Sequence, residues 1–364
     1  MYAAAVELYI TLDVMSILAR TVGWPLVIAT MTMIAGCSER NPNSVLPVPV
    51  LPPGPIEMRV AYVINPRLPR LDSAQLGRLL EATRKTSQEH FGVDLRFVAP
   101  VEIPIDSLFQ RIPAERRRSV SEFIYDFKTG KGDPILFEKA FVTELKNSGD
   151  PVADVLRFAT PYLNEPPESS YEALGTALAK IQLNRIEKWK NLKALDGGPV
   201  IDSSPYNEYV LWDSLGYAKL PFELLVTNQI IASAEYRGSA AHSAVRGGYT
   251  NGITINNAHS RFSTTSIWST FAFTSADDWV VRVRNGETYQ PQEAARLAGI
   301  LAVHEIGHQL FHFGHPWGRA ACVMNPIPMF AYRQTVNNIS AKDCPIGSSP
   351  AMRPGSAKFS IRQQ

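Results

Sequence analysis

The chain has 364 residues, is 45% hydrophobic and carries a formal net charge of +2. That length and apolar content are enough to bury a sizeable core, and so small a charge gives no sign of a nucleic-acid partner. The three cysteines and seven histidines are few enough to be weighed one at a time.

Met15-Ser-Ile-Leu-Ala-Arg20 reads as a short basic leader, and the apolar stretch running on to Ala35 has about the length of a signal core. Ile34-Ala-Gly-Cys37 then resembles a bacterial lipobox, which implies lipidation of Cys37 and a signal peptide over residues 1–36. Met15 is a more natural start than Met1, because residues 1–14 add nothing a signal peptide needs. The competing reading is a membrane-spanning anchor; the small-residue site ending in Cys favours the lipoprotein. Six prolines between Ser38 and Pro55 suit an extended tether, here placed at 37–56. The expected picture is a domain over 57–345, held off a bacterial membrane at the periplasmic face or cell surface. A tail follows at 346–364.

Met58 to Ile64 reads as a buried strand. Leu71 to His90 follows as an amphipathic helix with Leu76, Leu79, Leu80 and Thr83 on one side, stopped by Gly92. Val93 to Val98 is a second strand, completing a β-α-β opening. A helical insert is expected over about 104–205, with starts at Asp133 before Pro134 and at Ser169-x-x-Glu172. Within it the Arg116-Arg117-Arg118 run reads as a solvated helix face. Leu192 to Asp202 returns to loop. Phe222 to Ser233, Tyr249 to Ile255 and Ser266 to Thr274 read as three more strands.

A long helix starts at Pro291, with Glu293 complementing its positive end. Leu297, Ile300 and Leu301 lead into His304 and His308, while Val303, Ile306, Leu310 and Phe313 make a second apolar stripe, so burial on more than one side is expected. Gly307 costs about 1 kcal/mol against Ala in a helix, which points to close packing there. Gly314 is the expected helix stop, with Pro316 beyond it and His315 just past the turn.

His304-Glu305-x-x-His308 is the H-E-x-x-H pattern: two imidazoles one turn apart reach one metal ion, and the adjacent carboxylate serves as general base. His315 is favoured over His312 as third ligand, since a straight helix drifts about 80° over eight residues. No Glu follows Glu305, and Asp343 is the only downstream Asp, so His-His-His ligation remains. With Met324 in Cys322-Val-Met-Asn-Pro shortly after His315, the stretch from His304 to Cys344 resembles the metzincin clan of zinc metallopeptidases, archaemetzincin-like or matrixin-like. The resemblance implies an α+β fold with a metzincin-like catalytic domain: a mixed, twisted sheet, a central zinc-binding helix and Met324 in a turn beneath the metal. The chain departs from H-E-x-x-H-x-x-G-x-x-H in one place: Phe311 stands at the Gly position and Gly314 at the third His, so the turn is displaced toward Gly314-His315. Only Cys322 and Cys344 remain for the second, four-cysteine zinc site of archaemetzincins, which is therefore not expected.

With Cys37 lipidated, Cys322 and Cys344 form an even pair suited to a disulfide in an oxidising compartment. The expected activity is zinc-dependent endopeptidase chemistry on a protein or peptide, with Glu305 as base, His304, His308 and His315 on Zn²⁺, and membrane contact through Cys37. The alternatives are a catalytically inactive zinc-binding envelope lipoprotein and a zinc amidase acting on cell-wall peptides. His242 and His259 lie in Ser/Asn/Gly-rich loops that favour solvated side chains.

Overall fold

The apolar run from Ile56 to Ile64 makes two strands rather than one. The computed structural model describes residues 45–119, 133–163, 165–200, 208–232, 248–327 and 331–359. In it the run divides at Arg59 into β1 (Ile56–Met58) and β2 (Val60–Ile64). Arg59 is the break because its N–H donates to Glu223 Oε2 (2.7 Å) while its guanidinium forks onto the same carboxylate. β1 pairs in parallel with β3 (Leu95–Phe97) in a sheet of its own, and β2 enters the main sheet.

Between them α1 (Ser73–Phe91) begins at Asp72, whose carboxylate accepts from Gln75 N–H while the Gln75 side chain accepts from Asp72 N–H. It ends at Gly92 in the left-handed region (φ 69°), and Leu76, Leu79, Leu80 and Thr83 are buried as the periodicity requires. One strand was not expected: β4 (Val101–Pro104) pairs with β2. Its brevity and terminal proline hide it from pattern reading, and an edge is where a sheet accepts such a strand.

The chain then runs through α2 (Ile105–Phe109), α3 (Ala114–Ser119), α4 (Pro134–Ser148), α5 (Val152–Ala159), α6 (Tyr171–Trp189) and α7 (Glu208–Asp213). Asp133 caps α4 as expected, accepting from Ile135 and Leu136 N–H. The cap of α6 is Ser170 rather than Ser169: its Oγ accepts from Ala173 N–H, placing the cap one residue later than the Ser-x-x-Glu pattern implied. Arg116 of α3 lies over the Tyr217 ring, 4.3 Å from its centroid.

Phe222 to Ser233 is likewise not one strand. β5 (Leu224–Thr227) and β6 (Ile231–Ala232) are separated at Asn228, whose side chain bonds to Asn65 N–H and to the carbonyls of Asn65, Leu68 and Pro69; Ser233 lies outside the described residues. Next come β7 (Tyr249–Thr250), β8 (Gly252–Asn256) and β9 (Thr264–Ser269). Extension of the last strand to Thr274 is also corrected. β9 stops where its partner does, at Ser269 opposite Thr227, and residues 271–274 turn into α8 (Phe271–Thr274). After α9 (Asp278–Val283) come the long α10 (Pro291–Phe311) and α11 (Tyr332–Asn338).

The main sheet has the order β4-β2-β5-β9-β8, parallel throughout except for the antiparallel edge strand β8. The fold is therefore mixed α/β with a mixed sheet. Alternation along β2 sends Val60, Tyr62 and Ile64 to the core shared with α1 and α10, and Ala61 and Val63 to a second core with Ile103, Leu108, Trp212 and Leu225. Helices α4, α5 and α6 contribute Phe137, Phe141, Phe158, Leu174 and Leu178 to the same core as Leu297 and Leu301 of α10. Leu46 N–H donates to Phe359 O, so the described part of the proline-rich stretch lies against the C-terminal segment. Cys37 and the leader fall outside the described residues. Among the described residues no helix is long and apolar enough to cross a membrane.

Candidate metal centre

Helix α10 carries the H-E-x-x-H segment through the middle of the molecule. Pro291 stands at its first turn, and Glu293 pairs with Arg333 (2.9 Å). Leu297 and Leu301 pack toward α1, and Val303, Ile306, Leu310 and Phe313 into a separate core, giving the two-sided burial its stripes imply. Gly299 lets α1 approach: a Cβ there would lie 2.1 Å from Leu79 O. Thr83 Oγ1 donates toward the carbonyls of Leu79 and Gly299 across this contact.

The helix ends two residues earlier than Gly314 suggests. His312 takes the left-handed conformation (φ 52°, ψ 43°), its N–H on His308 O and that of Phe313 on Gly307 O, whereas Gly314 is not left-handed. A non-glycine residue pays about 1–2 kcal/mol for that geometry. Contacts from the C-terminal segment hold it there: Gly355 N–H donates to Phe311 O, Ala357 N–H to His312 O and Gly314 N–H to Ala351 O. The His312 ring packs edge-on against Phe359, 1% exposed, and stands apart from the other three.

His315 comes back over the helix. The Nε2 atoms of His304 and His308 are 3.1 Å apart, and each is 3.0 Å from His315 Nε2. His304 Nδ1 faces Val323 O at 3.0 Å and His308 Nδ1 faces Phe313 O at 2.6 Å. Only a protonated Nδ1 can donate to a carbonyl, so in the neutral rings both Nε2 atoms present lone pairs to each other. Two lone pairs at that separation repel unless a cation lies between them. A tetrahedral ion with bonds of about 2.0–2.1 Å needs ligand nitrogens roughly 3.3 Å apart, close to the spacing found. Burial pushes the His308 imidazole down to about 4, which keeps it neutral and available as a ligand. His304, His308 and His315 can thus hold a metal ion.

Met324 lies fully buried beneath the helix, where a Cβ on Gly307 would meet its Sδ at 2.3 Å; this is the close packing that the glycine implied. Val323, whose carbonyl orients His304, sits between Met324 and the Cys322–Cys344 disulfide. Closing that 22-residue separation contributes about 3 kcal/mol on the chain-entropy account.

Glu305, 5% exposed, faces the edge strand β8. Thr254 Oγ1 donates to Glu305 Oε2 (2.7 Å), and Ser266 Oγ donates to the Glu305 carbonyl (3.1 Å). Sequence reading passed over Thr254 and Gly252; the one signal was a glycine inside a strand, which marks close approach of another group. It also passed over Trp317, whose ring meets those of His315 (5.8 Å between centroids) and of Phe158 on α5 (5.0 Å), bringing the insert against the third histidine. Asp343 and His259 are exposed and outside the cluster, and His242 lies outside the described residues.

Comparison of the chain with models of known protein families, with curated proteins and with solved structures finds no match.

Proposed function

We propose that the protein is a zinc-dependent endopeptidase of metzincin type. The observation that carries this reading is the convergence of three imidazole Nε2 atoms within 3.1 Å, two of them oriented by backbone carbonyls, on the helix that bears Glu305. An all-imidazole set without thiolate or carboxylate suits zinc and leaves a fourth position open. Bound there, zinc would supply Lewis acidity, polarising a carbonyl and lowering the pKa of water toward neutrality. Glu305 accepts a proton from water as the water oxygen bonds to the scissile carbonyl carbon. The same carboxyl then gives that proton to the amine nitrogen as the C–N bond breaks.

Met324 beneath the helix supports the metzincin reading, and so does the antiparallel strand β8 at the sheet edge beside Glu305. Among the described residues only β9 pairs with β8 in this sheet, and an edge strand of this kind is suited to pairing with an extended peptide substrate. The leader and the lipobox-like Ile34-Ala-Gly-Cys37 support attachment of the enzyme to a bacterial envelope through a lipid on Cys37. The test is metal analysis of the purified protein with cleavage of a peptide library by wild type and Glu305→Gln. About one zinc per chain is expected in both, with turnover at least about a hundredfold lower in the variant. Equal turnover removes Glu305 as the base. A zinc-loaded wild type that cleaves no peptide points instead to the inactive binding protein or to an amidase.

A further inference from the structure

Strand β8 meets α10 at the Glu305 side chain through two residues of opposite kind. Gly252 contributes space: a Cβ there would fall 2.5 Å from Glu305 Cγ, 2.6 Å from Oε1 and 2.7 Å from Cδ. Thr254, two residues on and therefore on the same face, contributes a donor, with Oγ1 2.7 Å from Glu305 Oε2. The same hydroxyl lies 3.3 Å from the Glu305 carbonyl and 3.4 Å from Ser266 Oγ. It has a single proton, and the shortest of these contacts, to the Glu305 carboxyl oxygen, takes it. Ser266 already serves the Glu305 carbonyl, so Thr254 is not needed to satisfy the helix backbone there.

We infer that Gly252 and Thr254 are positioning residues for the proposed reaction, β8 acting as a template that sets the direction of the Glu305 carboxylate. The inference rests on the peptidase reading above. A Glu side chain has three rotatable bonds, and proton transfer demands one arrangement of them, within hydrogen-bond reach of the water it deprotonates. The packed backbone of Gly252 removes arrangements on one side, and the Thr254 hydrogen bond selects among those left. Since the same strand offers the edge on which substrate would lie, base and substrate are referenced to one element.

The two residues are separable from a purely structural role. A methyl group at position 252 collides with the Glu305 side chain from Cγ to Oε1 rather than with backbone, so the fold accommodates Gly252→Ala by turning that side chain aside. Thr254→Val keeps the shape and deletes the donor, and Thr254→Ser keeps the donor. With peptide substrate, Thr254→Val should lower kcat at least about tenfold at nearly unchanged KM, and Thr254→Ser should restore most of it. Gly252→Ala should fall toward the Glu305→Gln level. All three should retain wild-type zinc content and unfolding midpoints. A wild type that exceeds Glu305→Gln while Thr254→Val matches wild type overturns this inference and leaves the peptidase reading intact. Loss of zinc along with activity in both Thr254→Val and Gly252→Ala also overturns it, because the strand would then be supporting the metal site. A wild type no faster than Glu305→Gln overturns the peptidase reading, and the inference with it.

Discussion

At the scale of single residues, the site depends on which of two histidines lies beyond the helix end. His312 follows His308 by four residues and His315 by seven, yet the left-handed geometry of His312 sends its own ring toward Phe359 and brings His315 back to within 3.0 Å of His304. His315→Ala should therefore weaken zinc binding by more than the roughly 10–100-fold that losing an outer-sphere partner costs, while His312→Ala keeps the metal. Competitive chelator titration of the two variants measures this. Retention of zinc by His315→Ala with loss in His312→Ala would require the opposite geometry at the turn.

At the scale of elements, α1 packs closely along α10, the helix that carries His304 and His308. Gly299 and Gly77 make opposite predictions within this pair. A Cβ at Gly299 would press on the Leu79 carbonyl at 2.1 Å and on Ala82 Cβ at 2.9 Å, and backbone cannot swing clear. Gly299→Ala should cost about 1–3 kcal/mol. Gly77, in the interior of α1, has open space where a Cβ would go, so Gly77→Ala should stabilise by about 0.5–1 kcal/mol through helix propensity. Urea unfolding of both variants gives the sign directly, and matching signs would contradict the packing described.

At the scale of the whole molecule, the buried Glu223 and the half-buried His308 make stability depend on pH in the same direction, and His90 and His312, both lowered by burial, add to it. Burial drives the Glu223 carboxyl upward, but the Arg59 side chain and the N–H groups of Arg261 and Arg59 more than offset it, so the folded value lies below the usual one. That contribution is present above the unfolded value of about 4.3 and is lost as pH falls through the folded value. His308 is held at about 4 by burial, against about 6.5 when unfolded. Between those values the unfolded chain binds the proton and the native one does not, so stability falls as pH drops through that window. The unfolding midpoint of the metal-free protein should thus be level above about pH 7 and fall progressively between about 6.5 and 4. His308→Gln should reduce the upper part of the slope, His90 and His312, also held down by burial, supplying the remainder; an unchanged slope in that variant would show that His308 is not a source of it.

Much of the site was legible in the chain because its signals are local. His304, Glu305 and His308 are related by one helical turn, so the periodicity that makes α10 a helix also puts them together. Gly92, Asp133 and Pro291 act on their own backbone within a turn, and each does in the structure what its chemistry implies. The Cys322–Cys344 pairing followed from counting. Features that depend on residues far apart in the chain were decided only by the tertiary structure. The break of the first strand at Arg59 answers to Glu223, 164 residues away. The end of β9 is set by the end of β5, and the unusual αL residue His312 is held by a segment more than forty residues later. Propensity alone assigned that turn to Gly314, since glycine adopts it without cost. The folded chain pays the cost at His312 because hydrogen bonds and packing from 351–359 outweigh it. Likewise no local pattern marks Thr254 as the partner of Glu305: a threonine in a strand is ordinary, and only sheet order places it against the helix.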